Sequence, residues 1–214
     1  MARLLNFPLD LSLYVVTVNY GDVTHISIAE AAYAGGAGVV QYRHKNVSTI
    51  EMYNNARAIS EIAKKYGKAL IINDRVDIAL AVKADGVHLG PDDMPVSVAR
   101  RLMGPMAIIG ASTGSIEEAI EAEAEGASYI GVGCIYGTNS KSDAGDPIGI
   151  DIIREIKQVV KIPVVAIGGI TISKISELVE NGADGIAVIS AITRARNMKT
   201  ATRDFIKEIK NSRK

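Results

Sequence analysis

Short, nearly continuous apolar runs recur along this chain, and a stretch with helical spacing follows almost every one. Positions 13–17 form the first run and predict a strand. Positions 26–34 predict a helix, stopped by Gly35 and Gly36. The second strand is expected over 39–43. Ser48 stands where a helix cap would, with Glu51 three residues later in capping-box spacing, and that helix ends near Gly67. Strands at 69–72 and 86–89 follow, separated by a short helix over 75–82. Positions 95–103 are helical, with Pro95 near the first turn.

The second half repeats the plan. A strand over 107–111 ends at Ser112, and 115–125 is strongly helical until Gly126 stops it. The sixth strand spans 129–132, and a long polar loop covers 133–147. A helix over 150–160 leads to a strand at 163–167, which runs into Gly168 and Gly169. Ser173 is placed to cap a helix reaching Asn181. The eighth strand covers 185–188, ends at Ile189 and Ser190, and is followed by a last helix over 200–210.

The strands are apolar at nearly every position, as expected when both faces are buried. Eight strand–helix repeats argue for a parallel sheet closed into a (β/α)8 TIM barrel, an α/β fold. A doubly wound open sheet is the alternative. It needs a dinucleotide fingerprint after the first strand, and Val18, Asn19, Tyr20, Gly21 and Asp22 do not form one. No linker or composition shift divides the chain, so residues 1–214 are expected to be one domain.

Composition narrows the partners. Lys plus Arg and Asp plus Glu are each 24, giving no net charge, which argues against wholesale nucleic-acid binding. Aromatic residues are 5 % with no Trp, so base stacking is not favoured either. One cysteine, Cys134, permits no internal disulfide and fits a reducing cytoplasm. No run approaches the ~20 apolar residues that a membrane span needs, and the first residues lack the pattern of a secretory signal. The expected partners are therefore small molecules, with a homo-oligomer left open.

In a TIM barrel the chemistry sits at the C-terminal ends of the strands, and the unusual polar residues of this chain fall there. After the second strand come Gln41, Arg43 and Lys45, which strand alternation puts on one face, with Tyr42 and His44 on the other. The third strand ends in Asn73 and Asp74, the fourth leads to Asp93, and the fifth ends at Ser112. The sixth leads to Thr138, Ser140 and Lys141.

Gly168 and Gly169 after the seventh strand, with Ser190 after the eighth, match the usual phosphate site of such barrels. A plain tight turn is the alternative for the glycines. Asp74 and Asp93 suit Mg²⁺ holding a polyphosphate, although an isolated Asp can also cap a helix or shape a turn. Arg43, Lys45 and Lys141 could neutralise a diphosphate leaving group; alone, Lys141 would read as a solvated loop lysine. His25, His44 and His88 are scattered and give no zinc spacing. His88, inside a strand, reads as a buried, hydrogen-bonded structural residue, and Cys134 as a small buried one.

Assembled in this order, the residues resemble the thiamine-phosphate synthase family over almost the whole chain. The motifs are Gln41-Tyr42-Arg43-His44-Lys45, Ile72-Asn73-Asp74, positions 84–90 with Asp93, Tyr136 to Lys141, Ile167-Gly168-Gly169-Ile170, and Ala183-Asp184-Gly185. The resemblance implies coupling of 4-amino-2-methyl-5-hydroxymethylpyrimidine diphosphate to a thiazole phosphate, with or without a 2-carboxylate, to give thiamine phosphate and pyrophosphate. It implies that Gln41, Tyr42, Arg43, His44, Lys45, Asn73, Ser112 and Lys141 contribute to the pyrimidine-diphosphate site. Among these, Arg43, Lys45, Ser112 and Lys141 would carry the catalysis. Asp74 and Asp93 would hold Mg²⁺, while Thr138, Asn139, Ser140, Gly169, Ile189 and Ser190 would hold the thiazole phosphate. The implied mechanism is dissociative: pyrophosphate leaves, and the thiazole nitrogen attacks the resulting pyrimidine-methyl cation.

Three positions depart from the family pattern. Pro91-Asp92-Asp93 replaces the common Gln-Glu-Asp but keeps the metal Asp, and Tyr136-Gly137-Thr138 replaces Tyr-Pro-Thr. Gly114 stands where a His often follows the Ser, and the sister thiazole tautomerases rely on that His. A tautomerase-like relative and a non-catalytic phosphate-binding barrel are the alternatives. The loop over 133–147 is the expected cover of the site.

Overall fold

The computed structural model describes residues 9–138, 140 and 145–214. In it, β1 (Leu13–Val16), β2 (Val39–Tyr42), β3 (Ala69–Asn73), β4 (Gly86–Leu89), β5 (Ile108–Thr113), β6 (Tyr129–Val132), β7 (Val164–Ile167) and β8 (Gly185–Val188) pair in parallel in chain order. Val15 of β1 sits beside both Val40 of β2 and Val188 of β8, so the sheet closes without an edge. The expected (β/α)8 TIM barrel is the fold.

Alternation sorts the strand residues into two cores. Tyr14, Val16, Val39, Ile71, Tyr129 and Val165 fill the barrel interior. Leu13, Val15, Val40, Ile72, Val87 and Ile130 point outward and pack beneath the helices. Burial on both sides is why the strands carry almost no polar residues.

The outer ring is α1 (His25–Gly35), α2 (Thr49–Tyr66), α3 (Val76–Val82), α4 (Val96–Met103), α5 (Ile116–Ala124), α6 (Asp151–Val159), α7 (Ile175–Glu180), α8 (Ser190–Thr193) and α9 (Met198–Ser212). Side-chain caps start several of them: Ser48 accepts from Glu51 N, Ser115 from Glu118 N, and Asn197 from Thr200 N. Gly36 and Gly67 close α1 and α2 in the left-handed conformation.

The two Ala-Asp-Gly motifs do the same structural job on opposite sides of the barrel. Asp85 accepts from Leu70 N at 2.8 Å, and Asp184 from Val164 N at 2.7 Å. Each carboxylate thus fixes the start of the preceding strand. The glycines that follow admit close backbone approach: a Cβ on Gly86 would lie 1.8 Å from Ile108 O, and one on Gly185 2.2 Å from Leu11 O. These motif residues sit at the N-terminal face, where they serve stability.

Several boundaries differ from expectation. β2 ends at Tyr42, so positions 43–45 leave the strand. β5 extends to Thr113 and takes Ser112 into its last turn of the ladder. Ser173 does not cap α7; it lies inside a 3₁₀ turn (Ile172–Lys174), its hydroxyl 3.0 Å from that of Thr171. The short α8 after β8 was not anticipated, and α9 begins at Met198 because Asn197 supplies an earlier cap. Among the described residues, no helix is long and apolar enough to cross a membrane.

Candidate active site

The C-terminal ends of the strands surround a cavity of about 340 Å³. Its walls divide by chemistry. On one side, β2 to β5 deliver Arg43, Lys45, Asn73, Asp74, Asp93 and Ser112. On the other, β6 to β8 deliver Thr138, Ser140, Gly168, Gly169, Ile189 and Ser190.

On the charged side, the backbone is fixed before the side chains are. Arg43 N donates to Thr17 Oγ1 at 3.2 Å, and that hydroxyl also meets His25 Nδ1 at 2.8 Å. Burial, reinforced by His44 4.5 Å away between ring centroids, lowers the His25 pKa to about 4. His25 is therefore a neutral hydrogen-bonding support at neutral pH.

Asp74 adopts φ of 62°, an uncommon conformation for a non-glycine residue. Its N–H donates to His88 O at 2.9 Å, and its carboxylate lies 3.3 Å from Lys45 Nζ. Asp93 Oδ2 accepts from Gly90 N at 2.7 Å. Burial, then the neighbouring Asp74 carboxyl, raises the Asp93 pKa to about 6, with Gly90 N–H and Lys45 opposing. Two carboxylates are thus held close enough that one resists ionising.

The donor set bears on which ion could sit there. Asp74 and Asp93 offer hard oxygens only, and their mutual repulsion is what a divalent cation relieves. Among the described residues, no cluster of three or more His, Cys, Asp or Glu is placed to hold a metal. Two carboxylates that leave the other positions to water and phosphate oxygens fit Mg²⁺ and do not fit zinc.

Among the described residues, the opposite side of the cavity is neutral and built largely from backbone. Gly168 and Gly169 have φ of 106° and 67°. A Cβ on Gly168 would lie 2.5 Å from Cys134 Sγ, and one on Gly169 2.2 Å from Gly137 O, so neither position accepts another residue without movement. Ser140 N donates to Thr138 Oγ1 at 3.1 Å, folding that loop back on itself. An adjoining groove lined by Gly137, Thr138, Ser140, Gly169, Ser190 and Arg194 continues from this side.

Most residues singled out from sequence meet in this cavity, and three do not line it. Gln41 shares the inward face of β2 with Val39 but sits a layer deeper, 2 % exposed, with Nε2 donating to Tyr14 OH at 2.9 Å. Tyr42 points outward, its ring edge-on to His25 at 5.0 Å, and the half-buried His44 lies beside it. Neither side chain lines the cavity beside Arg43 and Lys45. Asn139 and Lys141 lie outside the described residues, as does part of the loop over 133–147 that was expected to cover the site.

Glu118 and His88 are among the wall residues that were not foreseen. Glu118 lines the cavity and accepts from Gly114 N at 2.6 Å. Its only sequence signal was a capping-box position after Ser115, which points to the helix and not to the site. His88 was read correctly as buried and hydrogen-bonded, yet its ring also reaches the wall, through Ser112 at 3.0 Å.

Known proteins resemble this chain in sequence and in fold. The sequence profile of the thiamine monophosphate synthase family matches residues 13–192. The thiamine-phosphate synthase of Chloroflexus aurantiacus is 48 % identical over 199 residues, which cover 92 % of this chain and 91 % of that one. That of Methanobrevibacter smithii is 49 % identical over 203 residues, 94 % and 97 % of the two chains. Among solved structures, thiamine phosphate pyrophosphorylase from Pyrococcus furiosus superposes with a TM-score of 0.87 at 42 % identity, covering 95 % of this chain and 98 % of the other.

Proposed function

The chain belongs to the thiamine monophosphate synthase family, and from that premise we propose that it is a thiamine-phosphate synthase. It joins 4-amino-2-methyl-5-hydroxymethylpyrimidine diphosphate to 4-methyl-5-(2-phosphoethyl)thiazole and releases pyrophosphate. The observation that carries this reading is the division of one cavity into a charged wall and a neutral one. A diphosphate leaving group calls for cations and a metal site. A monophosphate anchor, remote from the reacting carbon, calls for backbone N–H groups and hydroxyls.

The reaction needs one bond broken and one formed. The bond from the pyrimidine methylene carbon to the diphosphate oxygen breaks, and its electron pair leaves with pyrophosphate. The thiazole nitrogen then gives its lone pair to the carbon. No proton transfer is required, which accounts for a wall rich in charge without an evident general base.

Each group has a task in that scheme. Arg43 and Lys45 neutralise the departing diphosphate, and Ser112 donates a hydrogen bond to it. A Mg²⁺ ion held by Asp74 and Asp93 would supply further neutralisation of the diphosphate oxygens. Asn73, beside Asp74, orients the pyrimidine diphosphate. Gly169, Ser190 and the backbone at Ile189 fix the thiazole phosphate, with Thr138 and Ser140 on its other flank, so that the nitrogen faces the carbon. Lys141 and Asn139, by resemblance, complete the two sets.

The assay supplies both substrates with Mg²⁺ and measures thiamine phosphate and pyrophosphate together. The expected result is one of each per turnover, with neither formed when a substrate is withheld. Folded protein that forms no thiamine phosphate would overturn the proposal.

A further inference from the structure

A hydrogen-bond chain crosses the barrel interior and ends at the cavity wall. Gln41 Nε2 donates to Tyr14 OH at 2.9 Å; the Tyr14 and Tyr129 hydroxyls are 2.7 Å apart; Tyr129 OH is 3.0 Å from His88 Nδ1; and His88 Nε2 is 3.0 Å from Ser112 Oγ. The five residues come from β2, β1, β6, β4 and β5, so the chain spans more than half the circumference of the barrel. All but Ser112 are buried.

The surroundings are shaped to admit it. A Cβ on Gly110 would lie 2.2 Å from the Tyr129 ring and 2.5 Å from His88 Nδ1, and one on Gly131 would lie 3.1 Å from His88 Cε1. Bare glycines on β5 and β6 thus make the space in which His88 and Tyr129 stack, 5.6 Å between centroids.

We propose that Gln41 gives this chain a direction, and that Tyr14, Tyr129 and His88 transmit it as positioning residues that present Ser112 to the cavity as a hydrogen-bond donor. The direction follows from proton counting. An amide nitrogen has two protons to place and an amide oxygen none, and a buried unpaired donor is the rarer defect. Gln41 therefore turns its nitrogen to Tyr14 and leaves Oε1 unpaired.

Tyr14, having accepted, gives its single proton to Tyr129. Tyr129 gives its own to His88 Nδ1. Burial raises the pKa of both phenols well above the usual value, so each keeps its proton. His88 is then neutral with the proton on Nε2, and that proton goes to Ser112 Oγ. The hydroxyl proton of Ser112 remains for the cavity. With the amide reversed, every bond would reverse, and Ser112 would spend its proton on His88 and offer the cavity only an acceptor. A developing negative charge on a leaving diphosphate needs the donor.

This inference rests on the proposed reaction for its use, but its first readout is independent of activity. Long-range proton–nitrogen correlation on nitrogen-15-histidine-labelled protein tells which ring nitrogen carries a proton, and a His88→Asn variant assigns the signal. The expected result is Nε2–H in the wild type, with Gln41→Met or Tyr129→Phe shifting His88 toward Nδ1–H or a mixture. In coupling kinetics, Gln41→Met should lower kcat severalfold with little change in KM, and should have no further effect in a Ser112→Ala background. An Nδ1–H or doubly protonated ring in the wild type would overturn the proposal even if no variant folds. So would a tautomer left unchanged by both substitutions.

Discussion

The two halves of the cavity present different chemistry. Around β2 to β5 the chain commits ionised side chains: Arg43, Lys45, Asp74 and Asp93, with Lys45 and Asp74 already 3.3 Å apart. Around β6 to β8 the described residues lining the cavity are uncharged and the backbone is shaped instead, with Gly168 and Gly169 at positive φ against Cys134 and Gly137. In the proposed reaction the charged half would face an anion whose charge grows, and the neutral half one that stays unchanged. Transition-state stabilisation would then belong to the first and uniform binding to the second.

The sharpest way to break that comparison is Asp93→Ala. Loss of one preorganised group facing developing charge costs about 10²- to 10³-fold in kcat, and the KM for the thiazole phosphate should hardly move. Steady-state pyrophosphate release, with each substrate varied in turn, reads both. A variant that shifts the thiazole-phosphate KM as much as kcat would erase the distinction between the halves.

Gly168→Ala tests the other half through its backbone. The added Cβ meets Cys134 Sγ at 2.5 Å and the residue must keep a φ of 106°. A loss of about 1–3 kcal/mol in stability is expected, read by denaturant unfolding, together with weaker thiazole-phosphate binding. Ser190→Ala tests the same half through a side chain. Removing one hydrogen bond to an anion costs about 1.5–3 kcal/mol, so the thiazole-phosphate KM should rise about tenfold to a hundredfold, with the pyrimidine-diphosphate KM unchanged.

The smallest effect is a pH dependence. The Asp93 pKa is about 6 in the folded protein against a usual 3.8. Between those values the folded state holds a proton that the unfolded chain has shed, so this group's contribution falls as pH rises through the window. In chelator, Asp93→Asn should therefore melt above the wild type at pH 8, and the gap should narrow toward pH 4. Added Mg²⁺ should stabilise the wild type more at pH 8 than at pH 5. A gap that widens toward acid would mean that the two carboxylates do not repel.

The barrel was legible because its strands are buried on both faces, and continuous apolar runs such as Leu70-Ile71-Ile72 leave little ambiguity. Helix starts were legible where a cap is chemical, as at Ser48 and Ser115. Ser173 misled because a hydroxyl near a helix start can sit inside a preceding 3₁₀ turn as readily as at the cap. The rim residues were legible from strand ends alone, down to Asp93 and Ser190.

Depth was not legible. Alternation put Gln41 on one face with Arg43 and Lys45, but period two carries no information about which layer of the barrel a side chain occupies, and Tyr14 on the neighbouring β1 claims it. The same blindness hid the reach of His88 to Ser112, a contact between neighbouring strands that depends on the height of each side chain in the barrel.

The central claim, that among the described residues the charged side chains lining the cavity lie on the β2–β5 side, is tested most directly by calorimetric titration of each substrate separately, with Mg²⁺ and with chelator. Affinity for the pyrimidine diphosphate should fall by roughly tenfold or more without the metal, the least that several kcal/mol of charge stabilisation implies. Affinity for the thiazole phosphate should stay the same. Thiazole-phosphate binding that depends equally on the metal, or pyrimidine-diphosphate binding that ignores it, would contradict the account.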